Sequence, residues 1–330
     1  MYNFKRAGLL AIAAIGTVSA QTPPDTASPV TGMGNFSHVV SNLDQSIAFY
    51  RDVLGLELSA PPAPFSDNPA IMKLGNTPGA QSHIAVMKIP GAGFGVELID
   101  YKDIDRKPAH PRFQDPGAAN LAILVKDVDA VAARLKQAGA HILTAAGAPV
   151  EVQNIEKGFF AQDPDGFVIE VTRLNTLPAA ASTIAGNVFG ASVEITIADT
   201  DQSAKFYRDL LGFQLCVGDS FNGNKLMADT AGTPGAQFRQ SSGNIPGTTT
   251  RLTLIEFKGI DRKPLATRVQ DPGAALLQLK VRDVDAAVNR LKAGGATVVS
   301  TGGEPVTMGT RKLAIVRDPN NLFLELLPAQ

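Results

Sequence analysis

The sequence carries one seven-residue phrase twice, and this repetition constrains the fold more than any other feature. FYRDVLG spans residues 49–55 and FYRDLLG spans residues 206–212. The segment IDRKP recurs at 104–108 and 260–264, and DPGAA follows it in both places. Because the separation between the copies is nearly constant over a whole half of the chain, the sequence predicts a duplicated domain.

The length and the N-terminal segment set the expected domain boundaries. A chain of 330 residues exceeds what a single core usually serves. Lys5 and Arg6 precede an apolar run that is too short to span a bilayer, and Ala20 ends a stretch of small residues suited to cleavage. The expected organisation is a signal peptide at 1–20, a tether at 21–33, domain one at 34–174, a linker at 175–187 and domain two at 188–328.

The N-terminal segment predicts export, to the periplasm or out of the cell. A formal net charge of −1 gives no reason to expect a nucleic acid or an anionic membrane as a partner. The single cysteine excludes an internal disulfide. No segment of the mature chain predicts a membrane span.

Each copy contains a fainter repeat of its own. A strand leads to an Asn or Asp that caps a helix, as at Asn42 or Asp44 and at Asp127, and short runs rich in Val, Ile, Leu and Phe follow the helix. The unit is therefore one strand, one helix and about three strands, and four such units make the chain. The predicted fold class is α+β, built from four βαβββ modules.

Three segments of the first copy resemble one known superfamily. SNLDQSIAFYRDVLGLEL, KDVDAVAARLKQAGA and DPDGFVIEV look like the vicinal oxygen chelate superfamily, which includes glyoxalase I, bleomycin-resistance proteins and extradiol dioxygenases. The resemblance covers residues 34–174 and 188–328. It implies two tandem domains in which paired modules curl their strands into a cup, with a divalent metal in the cup that chelates neighbouring oxygens of a substrate.

The resemblance also implies where metal ligands should lie. The family takes ligands from the first and last strands of each module, and its first-strand ligand is placed seven residues before the helix cap. The first-strand places are then Asn35, Asn120, Ser192 and Leu276. The last-strand places are Glu97, Glu170, Thr253 and Glu325. None of the eight is a histidine, and modules pairing within copies or across copies both leave the family's usual set incomplete.

The expected metal ligands are therefore Glu97 and Glu170 in domain one, with His38 as a rival. Alternation along the first strand turns His38 toward the helices, and a one-residue bulge would reverse this. The carboxylate and amide set suits a hard ion, and Mn, Fe, Ni, Zn and Mg are all candidates. Domain two is expected to hold no metal.

A second set of residues is expected to contact a small organic molecule in the cups: Asn35, Ser37, His83, Asn120, Arg239 and Glu325. His83 and Arg239 occupy equivalent strand positions in the two copies, where an inward side chain would meet an acidic ligand and an outward one would lie at the rim. The repeated IDRKP and QDPGAA segments either attract an anion to the cup mouth or serve as solvated connectors.

Two functions from different classes follow from these residues. The first is an exported protein of the glyoxalase and bleomycin-resistance type, which binds a small organic molecule in cups with a degenerate metal site. The second is a metal-dependent lyase, isomerase or ring-cleaving dioxygenase with one active site in domain one. The duplication allows a monomer or a homodimer.

Overall fold

The computed structural model describes residues 28–152 and 156–329. The predicted signal peptide and residues 21–27 of the predicted tether lie outside these ranges. The first strand begins at Val30, so the end of the segment expected as a tether is part of a sheet. Within the described ranges, no helix is long and apolar enough to cross a bilayer.

The chain forms four modules in which a strand, a helix and further strands follow one another, as the sequence predicted. The first module consists of β1 (Val30–Val40), α1 (Leu43–Ala48), β2 (Glu57–Leu58), α2 (Pro69–Gly75), β3 (Gln81–Lys88) and β4 (Gly95–Lys102). The second consists of β5 (Ala119–Val125), α3 (Val128–Gln137), β6 (Val150–Val152), β7 (Glu156–Gln162) and β8 (Val168–Leu174). A short helix, α4 (Ala179–Thr183), lies in the predicted linker.

The second copy repeats this order. The third module consists of β9 (Val188–Ile197), α5 (Thr200–Lys205), β10 (Cys216–Val217), α6 (Lys225–Thr230), β11 (Gln237–Asn244) and β12 (Arg251–Lys258). The fourth consists of β13 (Ala275–Val281), α7 (Val284–Ala293), β14 (Thr297–Val298), β15 (Val306–Met308), β16 (Arg311–Arg317) and β17 (Phe323–Pro328).

The first helix of every module begins at a side-chain cap. The side-chain oxygens of Asn42, Asp127, Asp199 and Asp283 each accept a hydrogen bond from a backbone N–H in the first turn of the helix. Such a cap satisfies one of the N–H groups left unpaired at a helix start and stabilises the helix by about 1 kcal/mol. The four caps therefore fix where each strand ends and each helix begins.

The repeated FYRD phrase forms the last turn of the helix in both copies. Residues 49–53 and 206–210 continue α1 and α5 as a single π-helical turn. The turn points a fully buried tyrosine at the following module: Tyr50 donates to Asp163 over 3.2 Å, and Tyr207 donates to Asp318 over 3.1 Å. The phrase therefore ties the first module to the second, and the third to the fourth.

The strands form two sheets, and each sheet joins one module from each copy. One sheet has nine strands, with the order β14-β16-β17-β13-β1-β4-β3-β2 and β15 paired to β16. The other has eight strands, with the order β10-β11-β12-β9-β5-β8-β7-β6. The antiparallel pairs β1–β13 and β5–β9 connect the two modules within each sheet. Of the two pairings that the sequence allowed, the structure has the one across the copies.

Each sheet has one face in a common core and an opposite face outside that core. The largest apolar cluster contains residues of both sheets together with the helices, such as Phe36, Val131, Val193 and Leu277. We call the opposite face of the nine-stranded sheet cup one and the opposite face of the eight-stranded sheet cup two. The helices α2 and α6 cover cup one and cup two, respectively.

The repeated IDRKP and DPGAA segments bind each other across the copies. The backbone N–H of Lys107 donates to Asp271 over 2.8 Å, and that of Lys263 donates to Asp115 over 2.8 Å. Two ion pairs of 2.9 Å reinforce this exchange, Arg112 with Asp261 and Arg268 with Asp105. The segments thus connect the two copies reciprocally, and Arg106, Arg112 and Arg268 have acidic partners.

Candidate functional site

The first-strand positions that face the cups lie five residues before the helix cap. These positions hold Ser37, Ala122, Glu194 and Gln278 in modules one to four. The family resemblance implied ligand positions seven residues before the cap. The difference of two residues keeps the same face of the strand but moves the site by about 6.6 Å along the strand. Glu194 and Gln278 were missed for this reason, although each stands out as a polar residue inside an apolar strand.

In cup one, four side chains from the first and last strands of both modules meet. The parallel register sets Ser37 beside Glu97 and Gln278 beside Glu325. The Nε2 atom of Gln278 lies 3.0 Å from Oε2 of Glu325, 3.1 Å from Oε1 of Glu97 and 3.3 Å from Oγ of Ser37. The hydroxyl of Ser37 also donates to Glu97 over 3.0 Å. Three side-chain oxygens therefore surround one point.

Asn35 holds this cluster in place from the start of the strand. Its backbone N–H donates to Oε1 of Gln278 over 2.7 Å, and its side-chain oxygen accepts from the N–H of Gly95 over 3.1 Å. A β-bulge between Met33 and Phe36 brings this part of β1 beside β13. The orientation of the Gln278 amide is therefore fixed by the backbone.

The two carboxyl groups of cup one do not ionise like exposed glutamates. Burial raises the pKa of Glu97, and hydrogen bonds from Ser37, Asn35 and Gln278 oppose that rise. Burial and the charge of Glu97 raise the pKa of Glu325 to about 8, although its bond with Gln278 lowers it. Two carboxylates this close resist ionising together. Near neutral pH the pair therefore retains a proton or requires a cation.

Cup two holds more carboxyl groups than cup one, because Glu156 and Glu170 of the second module meet Glu194 of the third. Asn120 donates to Glu194, and the hydroxyl of Thr172 donates to Glu170 over 2.9 Å. Burial raises the pKa of Glu194 to about 7, while Asn120 and Arg251 lower it.

Two further carboxyl groups of cup two are perturbed more strongly. Burial and the charge of Glu194 raise the pKa of Glu156 to about 8. Burial and both neighbouring glutamates raise the pKa of Glu170 well above its usual range. Strongly perturbed groups at one place in a fold mark a candidate functional site.

Several buried polar atoms in cup two have no hydrogen-bond partner among the described residues. They are Oε2 of Glu156, Oε2 of Glu170, Oε1 of Glu194, Oδ1 of Asn120 and Oγ1 of Thr253. Glu156 and Glu170 line a cleft between α6 and the hairpins of β6, β7 and β8. Across residues 28–152 and 156–329, no group of three or more His, Cys, Asp or Glu side chains is arranged to hold a metal ion.

The structure does not bring the three expected metal ligands together. Glu97 lies in cup one and Glu170 in cup two, because the modules of the first copy belong to different sheets. His38 faces the helices, where its Nε2 lies 2.9 Å from Oδ2 of Asp163 and its ring packs 4.5 Å from that of Phe167. The bulge in β1 lies before His38 and does not turn it into the cup.

The six residues expected to contact a small molecule do not lie in one site either. Asn35, Ser37 and Glu325 belong to cup one, and Asn120 belongs to cup two. Leu276, one of the implied ligand places, is part of the apolar lining of cup one.

His83 and Arg239 lie on the helix side of their sheets. His83 is opposite Asp100 in the ladder and its ring packs 4.8 Å from that of Phe65. Arg239 pairs with Asp201 over 2.9 Å. Since side chains alternate along a strand, the neighbouring positions, and not these, face the cups.

Comparisons with known proteins agree with this architecture. The model of the Glyoxalase/Bleomycin resistance protein/Dioxygenase superfamily matches residues 32–171 and 191–326. A 2-epi-5-epi-valiolone epimerase from Actinomyces sp is 33% identical over 109 residues, which cover 32% of this chain and 59% of the epimerase. Metallothiol transferase FosB from Shouchella clausii is 28% identical over 144 residues, which cover 43% of this chain and 80% of that protein.

A solved structure has the same fold over nearly the whole chain. Glyoxalase I from Zea mays superposes with a TM-score of 0.57 at 20% identity, covering 90% of this chain and 92% of that protein. The superfamily model matches both copies of the duplication, and the sheets are built from the paired βαβββ modules that the sequence predicted. The chain therefore belongs to the Glyoxalase/Bleomycin resistance protein/Dioxygenase superfamily.

Proposed function

We propose that the protein is a metal-dependent enzyme that acts on a small organic molecule in cup one. The observation that carries this proposal is the meeting of Ser37, Glu97, Gln278 and Glu325 around one point. These residues come from the first and last strands of two modules, so the antiparallel pairing of β1 with β13 brings them together.

The donor set of cup one fits a hard divalent ion. Two carboxylates and one hydroxyl offer oxygen atoms without imidazole or thiolate, a set that suits Mg²⁺ or Mn²⁺ better than Zn²⁺. The paired carboxyl groups, one with a pKa raised to about 8, also favour a cation between them. Glu97 and Glu325 would hold the ion with Ser37 beside them, and the ion would replace the hydrogen bonds that Nε2 of Gln278 donates to both carboxyl groups. Such an ion supplies Lewis acidity toward oxygen atoms of a substrate.

The residues around this point prepare it for a ligand. Asn35 fixes the Gln278 amide, and Gln278 in turn directs Glu97 and Glu325 toward each other. The lining beyond them is apolar and includes Leu276 and Phe323. Because water is excluded there, electrostatic interactions with a bound molecule are stronger than at the surface.

The helix α2 covers cup one. Met72 and Leu74 of this helix pack into the apolar cluster that lines the cup. A hydrogen bond from Oγ of Ser300 to the carbonyl of Leu74 over 3.0 Å holds the end of the helix. The likeness to an epimerase supports isomerase chemistry.

One observation favours a second candidate function, binding without a metal. The amide of Gln278 already donates to both carboxyl groups, so cup one can satisfy its polar atoms by itself. In that case the protein binds a small organic molecule without catalysis. The two functions differ in one measurable property, the affinity of cup one for a divalent ion.

Titration of the full chain with Mn²⁺ tests the proposal. We expect about one equivalent to bind, and the Glu97→Gln and Glu325→Gln variants to bind at least about 100-fold more weakly. Isothermal titration calorimetry measures both affinities.

The matched control is Glu170→Gln, since Glu170 holds the place of Glu325 in cup two. This variant should bind Mn²⁺ as the unaltered protein does. No binding by the unaltered protein, or an equal loss in the control, would favour the metal-free function.

We also propose that the protein is exported by residues 1–20. The basic start and the short apolar run before Ala20 support this proposal. N-terminal sequencing of the protein from fractionated cells should find a chain that begins at Gln21 outside the cytosol. A chain that keeps Met1 and stays in the cytosol would exclude export.

A further inference from the structure

We propose that the side-chain amide of Gln278 is a gate for the cation site of cup one. Its nitrogen takes the place of the ion when no metal is bound, and it must leave that place before an ion binds. This inference rests on the metal-dependent function proposed above and adds the control of metal affinity to it. In this role Gln278 competes with the ion and is not one of its ligands.

The nitrogen of Gln278 makes the contacts that a cation would make. Its Nε2 lies 3.0 Å from Oε2 of Glu325, 3.1 Å from Oε1 of Glu97 and 3.3 Å from Oγ of Ser37. An amide nitrogen carries two N–H donors, so it serves both carboxyl groups at once. A Mg²⁺ ion between the same carboxyl groups would lie about 2.1 Å from their oxygen atoms. The nitrogen and the ion therefore exclude each other.

The amide cannot exchange its nitrogen for its oxygen without breaking another bond. Oε1 of Gln278 accepts from the backbone N–H of Asn35 over 2.7 Å. Asn35 lies in the β-bulge between Met33 and Phe36, outside the register of the β1–β13 ladder, and its N–H donates to Gln278 in place of a strand partner. A half-turn of the amide would set Nε2 against this N–H, donor against donor. The bulge therefore directs the nitrogen, and not the oxygen, toward the carboxyl groups.

The backbone of β1 packs directly against the Gln278 side chain. A Cβ atom added at Gly34 would lie 2.5 Å from Oε1 and 2.8 Å from Cβ of Gln278. A residue with a side chain at this position would therefore displace Gln278. The side-chain oxygen of Asn35 accepts from the N–H of Gly95 over 3.1 Å and anchors the same stretch of β1. Since Gln278 is only 6% exposed, its amide is held in place by the strands around it.

Cup two shows what happens without such an amide. Ala122 holds the place of Gln278 there, and it lies beside Glu170 in the ladder of β5 and β8. Among the described residues, Oε2 of Glu170 and Oε1 of Glu194 are buried and have no hydrogen-bond partner. Over the same ranges, no atom of the four cup-one side chains is among the buried atoms without a partner. The Gln278 amide therefore pairs the carboxyl groups of cup one.

This pairing opposes the binding of a metal. An ion gains the two carboxyl groups only by displacing the two hydrogen bonds that they accept from Gln278. A hydrogen bond to a charged group changes an equilibrium constant by roughly tenfold or more. Removal of the amide should therefore raise the affinity for a metal. A Gln278 that served as a ligand would have the opposite effect, since its removal would lower the affinity.

Titration of the full-length Gln278→Met variant with Mn²⁺ tests the gate. Methionine has a similar length and no N–H group. We expect this variant to bind Mn²⁺ at least about tenfold more tightly than the unaltered protein, as measured by isothermal titration calorimetry. Gln278→Ala also removes the amide and should shift the affinity in the same direction, so the test does not depend on the folding of one variant.

The matched control is Gln240→Met. Gln240 is a half-buried glutamine of β11 whose Nε2 has no hydrogen-bond partner among the described residues. Its substitution should leave the Mn²⁺ affinity unaltered. In a chelator, Gln278→Met should lower the Tm by about 2 °C or more, because the two carboxyl groups lose a donor and Asn35 loses an acceptor. Saturating Mn²⁺ should reduce this difference.

Nuclear magnetic resonance observes the amide directly. The side-chain resonance of Gln278 is identified by its absence from the spectrum of the Gln278→Met variant. In a chelator its N–H protons should exchange slowly with solvent, since they are buried and bonded. Saturating Mg²⁺, which is not paramagnetic, should shift this resonance and speed the exchange. A side chain that only packs would keep the same resonance and the same exchange rate.

The outcomes separate the gate from the metal-dependent function. If the unaltered protein binds Mn²⁺ and both Gln278 variants bind it equally or more weakly, the gate is excluded and the metal-dependent function stands. If Gln278→Met binds Mn²⁺ and the unaltered protein does not, the gate stands and the metal-dependent function fails. If none of the three proteins binds Mn²⁺, both proposals fail.

Discussion

Replacing Asp163 with alanine should lower the free energy of unfolding by about 3–5 kcal/mol. The Asp163 carboxylate accepts from the hydroxyl of Tyr50 over 3.2 Å and from the N–H groups of Asp165 and Phe167, each over 2.9 Å. Its Oδ2 also lies 2.9 Å from Nε2 of His38, with both side chains fully buried. Alanine would leave these donors unpaired inside the protein, and it would cut a link between the two sheets.

Equilibrium denaturation in urea at pH 6 measures this loss. Asp163→Asn keeps an acceptor and should lose less. Burial lowers the pKa of His38, but Asp163 and Asp165 raise it further, so the net shift is upward. Because the folded pKa is the higher one, the ion pair stabilises fully below about pH 6.5, and this stabilisation is lost as the pH rises through the folded pKa.

The matched control is Asp318→Ala in the second copy. Asp318 accepts from Tyr207, but Ile195 stands where the first copy has His38. The loss of unfolding free energy in Asp318→Ala should therefore depend less on pH than the loss in Asp163→Ala. A loss below about 1 kcal/mol for Asp163→Ala would mean that the buried network does not hold the sheets together.

The Glu156→Gln variant should be more stable than the unaltered protein at pH 8.5, by roughly 2–4 kcal/mol. Burial and the charge of Glu194 raise the pKa of Glu156 from 4.5 to about 8. Between these two values the folded state keeps the proton and the unfolded state releases it. Stability is therefore fully present below pH 4.5 and is lost as the pH rises through 8. Glutamine does not ionise and avoids this loss.

Urea denaturation at a series of pH values from 4.5 to 9, with a chelator, measures the difference. It should be near zero at pH 4.5 and grow with pH. Glu151→Gln, an exposed position on the neighbouring strand β6, should show no such growth. A difference that is constant across the series would show that Glu156 ionises as an exposed glutamate does.

Local features of the fold could be predicted from the sequence because they depend on near neighbours. The caps at Asn42 and Asp127 were found because a capping side chain bonds to an N–H only two or three residues away. The four modules followed from the repeats, and the superfamily match confirms both the resemblance and the fold class. The orientation of His38 followed from alternation along one strand.

The composition of the sites could not be predicted in this way. The positions of Glu97 and Glu170 were known from the sequence, but their assignment to one site required both modules of a copy to share a sheet. Gln278 and Glu194 were missed because the cup-facing residue lies five residues before the helix cap, two fewer than the expected seven. A two-residue displacement along a strand leaves the hydrophobic alternation unchanged, so the pattern gives no warning of it.

The sequence by itself determined the duplication, the module order, the caps and the face on which His38 lies, since all of these are set by local spacing. Only the tertiary structure decided which modules share a sheet. Pairing within copies and pairing across copies satisfy the same strand patterns, and they differ only in contacts between segments far apart in the chain, such as β1 with β13 and β5 with β9. Those long-range contacts placed Gln278 between Glu97 and Glu325, and they left Glu156 and Glu170 together in the other cup.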